Sequence, residues 1–541
     1  MMHFSSGRNR RALNRLASFS LLFVLLVIPA SLGADALQAS SETEPGGNSL
    51  PEPCRALRSS SQQISDLIQD ALTHPTVDSY DSLGDAYAAQ NQFECAAATY
   101  DLALAYNPKA WQTRYALGIS LMQSGNSERA ARELQTVVDQ QPDAFMAHNA
   151  LGLALESLGR LENAREHYET AVRLDPSFAL GYYNLAHLAS LQTRPIAAVY
   201  YAQKAVSLEP REPQFGLALG IAYSQDNKLQ QSVEVLHGLI VSNPEFTEAY
   251  LNLAAVYGRQ KRFPEAVENY RRALKLDPEN PEVLLSLGTA LVANSQPEEA
   301  IAVLKSYIAR KPRDYQGYEW LGRAYKDRAQ YPEAADALQQ AFALNGHEYD
   351  ICFNLGIALV HLGKLAEGAE QLERAKNLEP GTADAHYQLA NVLRRLGQAE
   401  KSKAEMETFQ TLKLRDQQRL RGIQYHDKGD DFLSAGKPAL AAEEYRQALQ
   451  LDPENPRLHY NLSLALAGLG DVAGQEQELE KTIHFDPNLA PAYYRLGQLY
   501  RNKGNLREAE RALRTAIEID PQLPGAQESL TSILSTLKGS Q

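Results

Sequence analysis

Asparagine returns in this sequence at one register. Asn184, Asn252 and Asn354 are separated by multiples of thirty-four residues, and Asn461 follows after another such multiple plus a slip of five. Gln388 holds the same register and Asn149 lies one place off it. A primary amide donates and accepts at once, so a row of them can pair with the N–H and C=O of a passing peptide whatever its side chains. The row is interrupted, because Ala116, Ala150, Ala218 and Ser286 occupy the register elsewhere. Trp320 also stands in it, with Arg323 three residues on and Lys326 six, so that the three share one helical face. A large aromatic beside arginine is the usual composition of a binding anchor. Further on come Asn391, Arg394 and Arg395, then Arg495 and Arg501. Arginine on a recognition surface suits carboxylates, which it can hold through two parallel hydrogen bonds.

Nothing comparable points to catalysis. Gly436-Lys437 follows Gly429 at the wrong spacing for a phosphate-binding loop and precedes Pro438 where that loop needs Ser or Thr. His347-Glu348 lacks the second histidine of a zinc-protease helix. Cys54, Cys95 and Cys352 have no zinc-ligand spacing. Cys54 and Cys95 could pair in an oxidising compartment, and the plainer reading is two separate buried thiols. His148, His386 and His459 fall at one packing position, and Asn461-Leu462-Ser463 matches a glycosylation sequon by chance inside a helical stretch. The expectation is a protein that is not an enzyme and takes no cofactor and no metal.

The elements that position these residues are set by the period itself. Pro108, Pro142, Pro176, Pro210, Pro244, Pro278 and Pro312 are each thirty-four residues apart. Units of that length run contiguously ten times over residues 77–416 and, after residues 417–421, three times more over 422–523. The eighth position of each unit is small, as in Gly84, Gly118, Gly152, Ala186 and Gly220, and the twentieth is small in all but one. Large residues recur at positions four, eleven and twenty-four, as in Tyr250, Tyr257 and Tyr270. Each unit reads as two amphipathic helices. Turns such as Gly125-Asn126 and Gly159-Arg160 stop the first, and Asp-Pro pairs such as Asp277-Pro278 stop the second. One such hairpin cannot bury both faces, so its stability comes from stacking on neighbours.

This pattern resembles the tetratricopeptide repeat family over residues 77–523. The resemblance implies an all-α fold, a right-handed superhelical solenoid of helix-turn-helix repeats, with a concave face lined by positions 2, 5, 6, 9, 12 and 13 of each first helix. The asparagine row is similar to that in the tetratricopeptide part of O-linked N-acetylglucosamine transferase, whose catalytic region has no counterpart here. Carried onto this chain, a peptide-binding groove would use Asn184, Asn252, Trp320, Arg323, Lys326, Asn354, Asn391, Arg394, Asn461 and Arg495. Repeats two to seven offer that groove mostly apolar and small groups, among them Ile119, Met122, Met146, Leu153 and Tyr183. Repeats eight to ten are expected to form the principal site, preferring acidic or C-terminal segments beside an apolar residue. The family's carboxylate clamp is not matched in repeats eleven to thirteen, where His426, Asp430 and Pro491 depart from it.

Outside the repeats, residues 54–76 are expected to supply an N-terminal capping helix and residues 524–541 a C-terminal one. Residues 417–421 would lie within an over-long second helix spanning Gln398–Arg421, which holds neither Gly nor Pro. Residues 1–36 read as a signal peptide: Arg8–Arg15 is basic, Phe19–Ile28 apolar, and Ala34-Asp35-Ala36 fits a cleavage site. An uncleaved N-terminal membrane anchor is the alternative. Residues 37–53, with Pro45, Gly46, Gly47, Pro51 and Pro53, read as a flexible tether.

Composition bounds the partners. The 541 residues carry a net charge of −13, and without residues 1–36 the balance is 49 basic against 65 acidic residues. Phosphate backbones call for a concentrated basic surface, so nucleic acid is excluded. The mature form would bind no membrane unless the leader stays as an anchor. The function expected is that of an exported scaffold, periplasmic or extracellular, holding extended segments of proteins or peptides in its groove for envelope protein assembly. Two alternatives are a self-associating structural protein and a non-catalytic specificity subunit of an enzyme complex.

Overall fold

The computed structural model describes Cys54, residues 62–520 and residues 523–539. The expected signal peptide, its cleavage site and the tether lie outside the described residues. All regular structure among the described residues is helical, in twenty-seven helices. The chain divides into two compact units, the first ending at Gln330 and the second beginning at Tyr331, between the two helices of the eighth repeat.

In both units the repeats are hairpins whose ends follow from sequence. All thirteen first helices end beside a residue with left-handed backbone, among them Gly125 (φ 81°) and Gly159 (φ 72°). Where glycine is missing from that position, Asn91, Thr193, Asn227, Lys261, Ser295 and Ala329 adopt the same geometry at φ of 54–61°. For residues with a Cβ that conformation costs on the order of 1 kcal/mol, so packing of the hairpin is what holds it. Second helices open with proline in the first turn, as at Pro195, Pro297 and Pro438, where no helical hydrogen bond is lost. They close on an extended residue, such as Asp175 or Asp486, before a proline.

The small residue at position eight is where the two helices of a hairpin touch. A Cβ at Gly84 would lie 2.5 Å from the Tyr100 ring, and one at Gly152 2.5 Å from the Tyr168 ring. Tyr168 is fully buried there, and its hydroxyl reaches Glu156 at 2.8 Å. Position four closes the junction to the preceding repeat. The Nε2 atoms of His148, His386 and His459 lie 3.0, 3.1 and 2.9 Å from the carbonyl oxygens of Pro142, Pro380 and Pro453. Tyr250 and Tyr318 donate their hydroxyls to Pro244 and Pro312 in the same way. Each side chain satisfies a turn carbonyl six residues back that the helix itself cannot reach.

In the first unit, helix Gln62–Thr73 packs on helix Val77–Ala89 and buries Ile64, Ile68 and Ala71. Cys54 and Cys95 form a disulfide, with Cα atoms 5.5 Å apart, and Tyr87 donates its hydroxyl to the Cys54 carbonyl at 3.0 Å. The pairing displaces the reading of two separate thiols. Only Cys352 is free, and it is buried.

In the second unit one helix, Ala399–Ser434, runs for 36 residues, about 54 Å at 1.5 Å per residue. It packs first on helix Ala383–Arg395 and then on helix Pro438–Leu451. It therefore extends beyond Arg421 and serves as both the second helix of repeat ten and the first of repeat eleven. The reason is local: no proline and no left-handed glycine interrupts it, for Gly422 and Gly429 both sit in helical turns. Only Leu412 and Gly429 are buried along it. Helix Ala526–Gly539 ends the described chain.

Candidate functional site

The first helices of repeats three and four each leave one stripe uncovered, and in repeats five to seven the same stripe is partly closed at Leu217, Leu251, Thr289 and Val292. Helix Phe145–Ser157 buries the run Ala147–Gly152 with Ala154 and Leu155, and keeps Met146, Leu153, Glu156 and Ser157 at least partly exposed. Helix Ala179–Leu191 does the same with Leu180, Tyr183, His187 and Leu191. These are positions 2, 5, 9, 12 and 13, one face at helical spacing. Within the first unit neighbouring first helices touch one another, as Trp111–Gln123 does Phe145–Ser157 and Pro213–Gln225 does Thr247–Arg259, so their stripes adjoin.

The asparagines lie at the buried margin of this stripe. Asn184 is 6% exposed and donates from Nδ2 to Oδ1 of Asn149 at 2.8 Å, linking two neighbouring first helices. Asn252 and Asn354 donate to the carbonyls of Glu248 and Asp350 on their own helices at 2.8 and 2.7 Å. Asn461 is half-buried and donates to Asp430 Oδ1 at 2.9 Å, with His426 Nε2 at 3.3 Å. In all four the N–H side of the amide has a protein acceptor. At Asn184 and Asn252 the carbonyl oxygen meets no donor among the described residues. The open polar atom of these two side chains is therefore an acceptor.

Trp320, Arg323 and Lys326 belong to the first unit. Trp320 is half-buried, and the Arg323 guanidinium stands 4.1 Å from its ring centre. Glu319 lies 4.0 Å from Arg323, and Asp327 4.0 Å from Lys326. The three side chains thus share one face, with the cations beside carboxylates of the same helix. Asn354, Asn391, Arg394, Asn461 and Arg495 belong to the second unit. Arg394 is exposed and 3.4 Å from Asn391 Oδ1. Arg495 and Arg501 are exposed and meet no carboxylate among the described residues.

Elsewhere the stripe of the first unit is apolar in its middle and acidic towards its ends. Met146, Leu180 and Leu191 are 55, 44 and 43% exposed. Asp78, Asp81 and Asp85 carry the stripe in the first repeat, Glu248 and Glu282 in the sixth and seventh. Burial, together with the charges of Asp85 and Asp78, raises the Asp81 carboxyl above its ordinary range, against a hydrogen bond from Thr113. Burial and the neighbouring Glu248 raise Glu282. The sequence reading passed over these carboxylates, although they stand at positions 2, 5 and 9 of the same frame. Among the described residues no group of His, Cys, Asp and Glu could hold a metal, and no helix is long and apolar enough to cross a membrane.

Several solved structures are similar to this chain. The Cut9-Hcn1 hetero-tetramer of APC/C is 14% identical over 88% of this chain and 99% of its own, with a TM-score of 0.35. A tetratricopeptide repeat protein from Parabacteroides merdae is 15% identical over 46% of this chain and 98% of its own, with a TM-score of 0.38. YrrB, a TPR protein with an unusual peptide-binding site, is 20% identical over 34% and 95%, with a TM-score of 0.31. None of the curated proteins matches the chain in sequence. One tetratricopeptide repeat profile matches residues 82–126, 115–179, 217–281, 321–381 and 426–490, more than half of the chain. A second covers residues 259–318, and a third residues 383–415 and 490–523. With hairpins stacked in this register and small residues at each crossing, the chain belongs to the tetratricopeptide repeat family.

Proposed function

We propose that this protein is an exported scaffold that holds extended segments of partner proteins along the stripes its first helices leave uncovered. Tetratricopeptide repeat proteins are protein-interaction scaffolds, and the family membership supports that much directly. The observation that carries the finer reading is the exposure of Met146, Leu180 and Leu191 on adjoining first helices, with half-buried Trp320 further along. Large apolar side chains on one contiguous face are a binding surface in want of a partner. The carbonyl oxygens of Asn184 and Asn252 at its margin would fix the main chain of a bound segment.

Export is supported by two independent features. One is the basic, apolar and small-residue order of residues 8–36. The other is the Cys54–Cys95 disulfide, a bond that persists in oxidising compartments. Envelope assembly is the process in which such a scaffold would act.

The test is site-specific crosslinking in the native host. A photoreactive residue at Met146 or Trp320 should capture one or a few envelope proteins. The same residue at Lys275, on a second helix, should capture none of them. Equal capture at all three positions would remove the groove reading.

A further inference from the structure

Over repeats one to seven, the carboxylates on the stripe differ from those on the rest of these repeats. On second helices and loops, acidic residues pair with arginines of neighbouring repeats: Asp101 with Arg129, Glu128 with Arg160, Glu299 with Arg271, Glu279 with Arg310. On the stripe, Asp78, Asp81, Asp85, Glu248 and Glu282 have no cationic partner among the described residues. Asp85 accepts only the Tyr100 hydroxyl, at 2.6 Å. Over repeats one to seven the stripe carries a single full cation, Arg259, whose guanidinium is taken up by the carbonyl and hydroxyl of Ser224. His187 is held by Glu156 at 2.9 Å.

Between the two acidic ends the stripe is uncharged apart from that His187–Glu156 pair. Met146, Leu180 and Leu191 are its most exposed large apolar members, and Ile119, Met122, Leu153, Tyr183 and Ile221 are half-buried around them. We propose that this groove takes a polypeptide segment with an apolar middle and lysine or arginine at both ends. The inference rests on the reading of the stripe as a peptide-holding surface and adds the chemistry of its ligand. Charge complementarity decides the sign: unpaired carboxylates grouped with like charges gain from a cation and lose from an anion. Burial holds Asp81 and Glu282 partly against ionisation, a cost that an incoming ammonium or guanidinium relieves. Stacked helices about 10 Å apart put the acidic ends roughly 50 Å from each other, close to fifteen residues of extended chain.

The full chain and three fluorescein-labelled peptides of about sixteen residues test this. They share one Leu/Ile/Ser core and carry lysines, glutamines or glutamates at both ends. In fluorescence anisotropy the lysine-ended peptide should bind about tenfold tighter than the glutamine-ended one, with the glutamate-ended one weakest. Its advantage should shrink with added salt. The isosteric variant D81N/D85N/E248Q/E282Q should erase the ranking, and M146S/L180S should weaken all three peptides about equally. Lysine- and glutamine-ended peptides binding alike, yet weakened by M146S/L180S, would overturn the charge inference and leave the groove. A lysine preference that survives the four carboxylate changes would overturn it as attraction to the acidic chain at large. Binding of none of the peptides, or binding indifferent to M146S/L180S, would overturn it together with the groove reading for this unit. Far-ultraviolet circular dichroism of each variant, unchanged in helicity, keeps these readings separate from unfolding.

Discussion

The Arg323 guanidinium stands 4.1 Å from the ring centre of Trp320, and Glu319 on the same helix lies 4.0 Å from that guanidinium. A cation over an indole face contributes about 0.5–1 kcal/mol at a partly wet site. It also restrains the ring, so a ligand meeting Trp320 meets a surface already ordered. Trp320 is half-buried on the stripe rather than enclosed between helices.

Trp320→Ala should therefore weaken partner capture by about thirtyfold, the usual loss at an aromatic anchor. The melting temperature should move little, because the fully buried packing around this helix lies elsewhere, at residues such as Ala324 on it and Leu304 on the preceding helix Pro297–Arg310. Arg323→Ala should cost less, since it removes one side of the anchor and spares the ring. Capture assays on both variants, with thermal melts alongside, check the pair of effects. Full capture by Trp320→Ala with a large drop in melting temperature would make the residue a packing element.

Much of this architecture can be read from the sequence because each repeat states its own constraints. Gly152 faces Tyr168 at 2.5 Å from the place its Cβ would take, so a small residue sixteen places before a tyrosine or leucine marks the helix crossing. The register of the asparagines is equally plain, but their partners are not. Asn252 bonds Glu248 of its own helix and Asn184 bonds Asn149 of the neighbour, and the depth of position six in the stack decides that. The acidic residues were passed over because Asp78 or Glu248 alone looks like any solvated helix face. Their meaning depends on the absence of an arginine across the stack. The long helix failed at a boundary for a related reason. A fixed repeat frame places a break before residue 422, while the backbone of Ala399–Ser434 contains nothing that breaks a helix.

Thiol counting tests the link between Cys54 and Cys95. The denatured protein from its native host should present one reactive thiol, Cys352, without reductant and three with it. Closing a loop across a separation of 41 residues should stabilise the N-terminal end by about 3–4 kcal/mol. In a stack whose repeats depend on nearest neighbours, C54S/C95S should fray the first repeat and leave the later ones cooperative. Limited proteolysis would detect this as cleavage confined to the region before the second repeat. Three reactive thiols without reductant would refute the bond in the native protein.

The Asp81 carboxyl predicts a pH-dependent gain in stability on removing its charge. Its side chain accepts the Thr113 hydroxyl at 2.8 Å, and burial with the nearby Asp85 and Asp78 still raises its pKa above the ordinary value. A carboxyl with a raised folded pKa binds its proton more tightly in the native state than in the unfolded chain. Its contribution to stability is then fully present below the unfolded pKa, about 3.9, and is lost as pH rises through the folded value. At neutral pH the ionised group opposes folding. Asp81→Asn keeps an acceptor for Thr113 and removes the charge, so it should raise stability at pH 7 by roughly a few tenths of a kcal/mol after solvent screening. Near pH 3, where Asp81 is protonated in both states, the variant and the parent should melt together. The same substitution should weaken the lysine-ended peptide, because a site kept charged for binding is held at the expense of stability. Thermal melts at the two pH values measure the first effect, and a gain that persisted at pH 3 would trace it to packing instead of charge.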